Sequence, residues 1–195
     1  MKNILLLKDL NNYYSDNMQK DRAESQLMVS ELDLENPNLF AYGSTPYSTF
    51  KSLYDTIERK PKRFIVVGSS IGWINFYWND LHPTIETIGI DLHRLRSDFG
   101  KSLINKYNLK NISFYNKDYR DFEFSDGDLI WQSNLCFPQE EVEKANSDII
   151  EKIPNVSIIS YRPITSNQEI NKYIKKSKHS VSWTPNQTFF VYEKI

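Results

Sequence analysis

Gly68 and Gly72 lie in RFIVVGSSIGW (Arg63 to Trp73), where an apolar, β-branched run gives way to a glycine turn and then a helical pattern. One strand–helix interval later, TIGID ends in an acid, Asp91. Glycine lets the backbone pass close to a ligand, and a carboxylate at the next strand end can accept hydrogen bonds from two ribose hydroxyls. That chemistry is the binding of a nucleotide cofactor. Further polar residues stand at the next strand ends. Ser69 sits in the turn itself, Asp118 and Tyr119 occur in NKDYRD, and Ser133 and Asn134 in QSNLCF. In open α/β sheets such strand ends line the ligand crevice.

The elements that must position these residues follow from periodicity. Strands are predicted at Phe64–Val67, Thr87–Asp91, Ile112–Tyr115, Leu129–Gln132 and Val156–Ser160. Helices are predicted between them at about 71–80 and 95–107, and after Pro138, with Val142, Ala145, Ile149 and Ile153 as its core stripe. Thr45-Pro46 reads as a helix N-terminus ahead of Phe50, Leu53, Tyr54 and Ile57 on one face. Ser166-x-x-Glu169 reads as a capping box for a helix reaching about Lys176. SVSW (Ser180 to Trp183) and TFFVYEK (Thr188 to Lys194), joined by TPNQ, read as a closing hairpin. The fold class is therefore α/β: a doubly wound, mostly parallel, seven-stranded sheet with a C-terminal antiparallel hairpin. Residues 1–40 form a polar N-terminal appendage, helical from about Asp21 to Leu34 or else a disordered arm, and residues 41–195 the main domain.

Composition narrows the class. A net charge of −1 over 195 residues leaves no global basic field for holding nucleic acid. The single cysteine, Cys136, rules out an intrachain disulfide and reads as a small packed side chain. His82, His93 and His179 lack metal-ligand spacing. The apolar run Ile4–Leu7 is too short for a signal-peptide core, and no stretch reaches membrane-span length, so an intracellular protein, cytoplasmic or nuclear, is expected. Lys172, Lys175, Lys176 and Lys178 read as a solvated helix face, and Trp73 and Trp78 as core.

AYGSTP (Ala41 to Pro46), the glycine turn, SNLCF (Ser133 to Phe137), IISYRP (Ile158 to Pro163) and SVSWT (Ser180 to Thr184) occur in one order along the chain. In that order they resemble the catalytic domain of the non-SET histone lysine methyltransferases, the "disruptor of telomeric silencing" type within the class I methyltransferases. The resemblance implies S-adenosylmethionine as cofactor. Gly68, Ser69 and Gly72 would then pass beside its amino-acid end and ribose, and Asp91 would hold the ribose hydroxyls. Asp118, with Tyr119 beside it, would meet the adenine. Thr45 and Tyr42 would form the loop over the methionine moiety, Asn134 would stand beside the methyl group, and Trp183 and Phe190 would wall the acceptor channel.

This chain departs from the family pattern. Val66 stands in place of a strand-end aspartate, Ser70 in place of the middle glycine of the turn, Ser44 in place of a loop glutamate, and Ser133 in place of an asparagine. The long basic extension of the histone enzymes is missing. Methyl transfer from a sulfonium is an in-line displacement that asks chiefly for positioning, and a lysine acceptor must arrive neutral. A hydroxyl acceptor would need a general base. A protein lysine is the leading acceptor. A small molecule, sugar or nucleic-acid group is the alternative, and a non-catalytic module of the same fold is a third reading.

Overall fold

The computed structural model describes residues 4–31 and 43–194. Seven strands form one sheet in the order β3-β2-β1-β4-β5-β7-β6. They are β1 Arg63–Val67, β2 Glu86–Asp91, β3 Ile112–Asn116, β4 Asp128–Gln132, β5 Ser157–Ser160, β6 Ile174–Val181 and β7 Thr184–Glu193. β1 to β5 pair in parallel, while β7 runs antiparallel between β5 and β6. Strand order reverses between β1 and β4, which sit side by side and send their following strands in opposite directions.

β1 is central because RFIVV is apolar on both sides, as a strand covered by helices on each face must be. Val66, with Phe64, packs on one face against Phe50, Trp78 and Trp131. Ile65 and Val67 pack on the other against Ile88, Ile130 and Ile158. The connecting helices are α2 Tyr47–Tyr54, α3 Trp73–Leu81, α4 Arg94–Tyr107, α5 Gln139–Lys152 and a short α6 Gln168–Asn171. A long N-terminal helix, α1 Ile4–Glu31, starts well before Asp21 and packs on α4, burying Leu6, Leu10 and Tyr13 in a cluster with Leu103 and Phe114.

Several local expectations are corrected. The hairpin turns at Ser182–Trp183 rather than at TPNQ, because the β7 pairing begins at Thr184. The C-terminal lysine run lies mostly on β6, an edge strand, where charge discourages edge-to-edge pairing. The cap of α6 is Asn167, whose side chain accepts from the Glu169 N–H, so Ser166 is not the capping residue. Thr45 does not cap α2: its hydroxyl is engaged by Tyr161. On α5 the buried stripe uses Asn146 rather than Ala145, because Asn146 hydrogen-bonds Gln132 and the Ile164 carbonyl.

Candidate active site

A cavity of about 440 Å³ opens at the carboxyl ends of β1, β2 and β4, where the strand order reverses. Its size falls within the range of small-molecule sites. The lining residues fall into two groups by the elements that carry them. Toward β2 and β3 the walls carry Ile90, Asp91 and Leu92, then Lys117 to Arg120, with Glu141 across from them. Toward β5 and the hairpin they carry Thr45, Trp73, Ser133, Tyr161 and Trp183, with no ionised side chain among them. Leu135, Cys136 and Phe137, in the segment after β4, also line it.

The glycine turn is held from below. The Gly68 and Ser69 N–H groups both donate to the Ile90 carbonyl. Gly68 has φ +70°, and a β-carbon there would come within 3.0 Å of the Ser133 carbonyl oxygen, so the backbone lies close against the β4 loop. Ser70 also adopts a left-handed φ, +50°, which aims its N–H at Asp91. Asp91 accepts from Ser70 N at 2.7 Å and from His93 N at 2.8 Å. Each carboxylate oxygen retains a further acceptor direction, since a carboxylate offers about four lone-pair sites.

Asp118 lies in the charged half, but both of its oxygens are held by Arg120. The Arg120 hydrogen bonds hold its carboxyl below the usual range. Tyr119 stacks on Phe137 with ring centroids 5.8 Å apart, and burial pushes its phenol up to about 12. In the aromatic half, Tyr161 is hydrogen-bonded to Thr45 and lies 5.7 Å from the Trp183 ring. Burial raises the Tyr161 phenol, so the hydroxyl stays protonated. Trp183 packs directly on the Gly43 backbone, where a β-carbon would come within 2.3 Å of the indole. The Ser44 N–H donates to Ser182 Oγ, tying the segment before α2 onto the hairpin.

Thr45, Gly68, Ser69, Asp91, Asp118, Tyr119 and Trp183 thus line one cavity. Three expected site residues do not line it. Asn134 turns its amide onto Ser160 and Gln132 in a buried network, and its neighbour Ser133 faces the cavity instead. Phe190 lies on the opposite face of β7, under the Lys176 ammonium, while Phe189 contacts Tyr161. Gly72 is needed for packing: its φ is +93° and a β-carbon would come within 2.3 Å of the Phe114 ring. Tyr42 lies outside the described residues. Tyr161 and Arg96 were not legible as cavity residues. Tyr161 occurs in the quoted IISYRP stretch, and its position one residue past a buried strand end was the available signal.

These residues suit an adenosyl sulfonium in three respects. Asp91 can accept from a vicinal diol, and Ile90, Leu92 and Phe137 offer apolar walls for a flat ring. Trp73, Tyr161 and Trp183 present aromatic faces, which attract a cation without acting as competing nucleophiles. Val66 offers nothing polar at the end of β1, being fully buried in the core.

The arrangement is the class I methyltransferase fold, a parallel sheet with reversed order at β1 and β4 and an antiparallel β7 inserted beside β5. Among solved structures, a mycolic acid cyclopropane synthase crystallised with SAH and CTAB is similar, with a TM-score of 0.50 at 11% identity over 64% of this chain and 52% of that one. TrmK from M. capricolum, in complex with S-adenosyl-homocysteine, gives 0.49 at 13% identity over 74% and 66%. The YcgJ protein of Bacillus subtilis gives 0.47 at 17% over 59% and 51%. The chain spans about half the length of the mycolic acid cyclopropane synthase and YcgJ chains. No protein-family model matches it, and no curated protein matches it in sequence. No helix among the described residues is long and apolar enough to cross a membrane.

Proposed function

We propose that the protein is an S-adenosylmethionine-dependent methyltransferase. The observation that carries this reading is the setting of Asp91. Its carboxylate is fixed by two backbone N–H groups at the end of β2 and looks into a cavity whose far half is aromatic and free of ionised groups. When bound, the cofactor supplies a methyl group on a sulfonium. The chain's own task is to hold the ribose end at Asp91, cover the sulfonium with aromatic faces and bring the acceptor in line.

The acceptor we favour is an amine, with a protein lysine first, as the resemblance to the non-SET histone lysine methyltransferases implies. No carboxylate or imidazole stands among the described residues of the aromatic half, so no general base is at hand for a hydroxyl. Apolar walls disfavour the ammonium form and help a lysine arrive neutral. Thr45, Ser133 and Tyr161 supply hydroxyls for orienting the lone pair. Val66 favours a second reading, a non-catalytic module, because no carboxylate at that position receives the cofactor's ammonium group.

Calorimetry with S-adenosylmethionine and S-adenosylhomocysteine tests the first claim, and no heat at millimolar ligand would leave the non-catalytic module. Tritium-methyl transfer onto histones, nucleosomes and a cell extract tests the second. Label confined to small molecules rejects the lysine acceptor.

A further inference from the structure

Arg96 is 5% exposed yet lines the cavity, in the first turn of α4 and close to Asp91 in the chain. A buried guanidinium requires an acceptor. It finds one 75 residues away on α1: Asp21 Oδ1 and Oδ2 accept from Arg96 Nε and the Nη2 group at 2.9 and 2.7 Å. Asp21 is itself 5% exposed and takes a further hydrogen bond from the Tyr13 hydroxyl at 3.0 Å. Burial opposes the Arg96 charge, but the Asp21 hydrogen bonds and the nearby Tyr14, Asp21 and Asp91 outweigh it and keep the group charged.

Two neighbouring residues of α1 reach the groups that hold Asp91. Tyr14 lies with its hydroxyl 3.5 Å from Ser70 Oγ, and Ser25 Oγ lies 3.1 Å from His93 Nε2. Residues 14, 21 and 25 are spaced i, i+7, i+11, which places them on one helix face. That face therefore meets Ser70, Arg96 and His93 in turn, and Ser70 and His93 are the two residues whose N–H groups fix the Asp91 carboxylate.

We propose that Asp21 is a positioning residue of the cofactor site: by holding Arg96 through both carboxylate oxygens, it keeps the guanidinium off Asp91 and leaves that carboxylate to the ligand's hydroxyls. This rests on the adenosyl reading of the cavity. Its physical basis is competition between two carboxylates for one buried cation. With Asp21 in place the fork geometry of arginine is matched on α1. Without it, Asp91 is a carboxylate on the same cavity wall whose charge already acts on Arg96.

The test is calorimetry with S-adenosylhomocysteine on the full chain, with thermal melting of each variant to set a temperature at which it is folded. Asp21→Asn should weaken affinity at least tenfold, and the double variant Asp21→Asn/Arg96→Gln should return it to within threefold of the unsubstituted protein. Read at a temperature where both variants are fully folded, recovery on removing Arg96 ties the loss of affinity to the freed guanidinium rather than to the missing carboxylate or to unfolding. A folded Asp21→Asn protein with unchanged affinity overturns the proposal, as does a double variant as weak as the single one. Should Asp21→Asn fail to fold, Arg96→Gln decides alone: affinity within threefold supports the proposal, and a tenfold loss shows that Arg96 itself holds the ligand. An unsubstituted protein that binds no S-adenosylhomocysteine overturns both this inference and the reading beneath it, whereas binding with Asp21 immaterial overturns only this one.

Discussion

Asp91→Asn changes one atom at the point on which the functional reading turns. Asp91 is 9% exposed, and its two oxygens accept from Ser70 N and His93 N at 2.7 and 2.8 Å. Asparagine keeps the shape but offers one acceptor oxygen and one NH₂ donor. In either orientation a backbone N–H must face that NH₂, so one buried donor loses its partner and the other bonds to a neutral group. Leaving a buried donor unmet costs about 1–3 kcal/mol, which is the expected loss of folding stability. The ligand loses an acceptor of the same kind. A hydrogen bond to a charged group contributes about 1.5–3 kcal/mol, so the dissociation constant for S-adenosylhomocysteine should rise roughly 10- to 150-fold. Urea unfolding and calorimetry measure the two effects separately. A stability loss with the affinity intact would show that Asp91 only builds the turn and that the ribose lies elsewhere. No change in either would refute the hydrogen-bonding scheme itself.

Gly72→Ala should destabilise the fold by about 2–5 kcal/mol, combining a left-handed φ with overpacking against Phe114. Its denaturation midpoint should fall while ligand affinity of the folded fraction holds, and a selective loss of affinity would place Gly72 back at the ligand. Tyr161→Phe removes the hydroxyl that bonds Thr45 in the aromatic half, and the loss of a neutral hydrogen bond there should lower turnover about 2- to 13-fold with cofactor affinity within threefold. Steady-state kinetics beside calorimetry would show an equal loss in binding if Tyr161 belonged to the cofactor half instead. Acid should weaken the fold in two windows. His93 is fully buried, and burial, then the Arg96 charge, hold its pKa below 6.5. The unfolded chain takes up that proton first, so stability is complete above about pH 6.5 and declines as pH falls below it. His82 and His179 are also lowered by burial and add to this slope. Asp21 behaves as a carboxylate whose pairing with Arg96 outweighs its burial, so its contribution is present above about pH 3.8 and is lost below. Melting temperatures from pH 7.5 to 5 should fall for the unsubstituted protein and fall less for His93→Gln, and identical slopes would remove His93 from the account.

The sequence by itself determined the five parallel strands, that the glycine turn follows the first of them, and that acids and amides stand at successive strand ends, whereas β6 was read largely as helix. Those features are local: a buried parallel strand must be apolar on both faces, and Gly68 must be glycine for the chain to turn at φ +70°. Tertiary structure decided which member of each adjacent pair faces the ligand. Ser133 rather than Asn134 lines the cavity, and Phe189 rather than Phe190 touches Tyr161, because successive side chains in an extended chain point to opposite faces and a one-residue offset reverses the assignment. It also decided the partners across long separations. Nothing in the local pattern of Asp21 marks it as the acceptor of Arg96, since that pairing exists only once α1 lies across α4 and both groups lose their water.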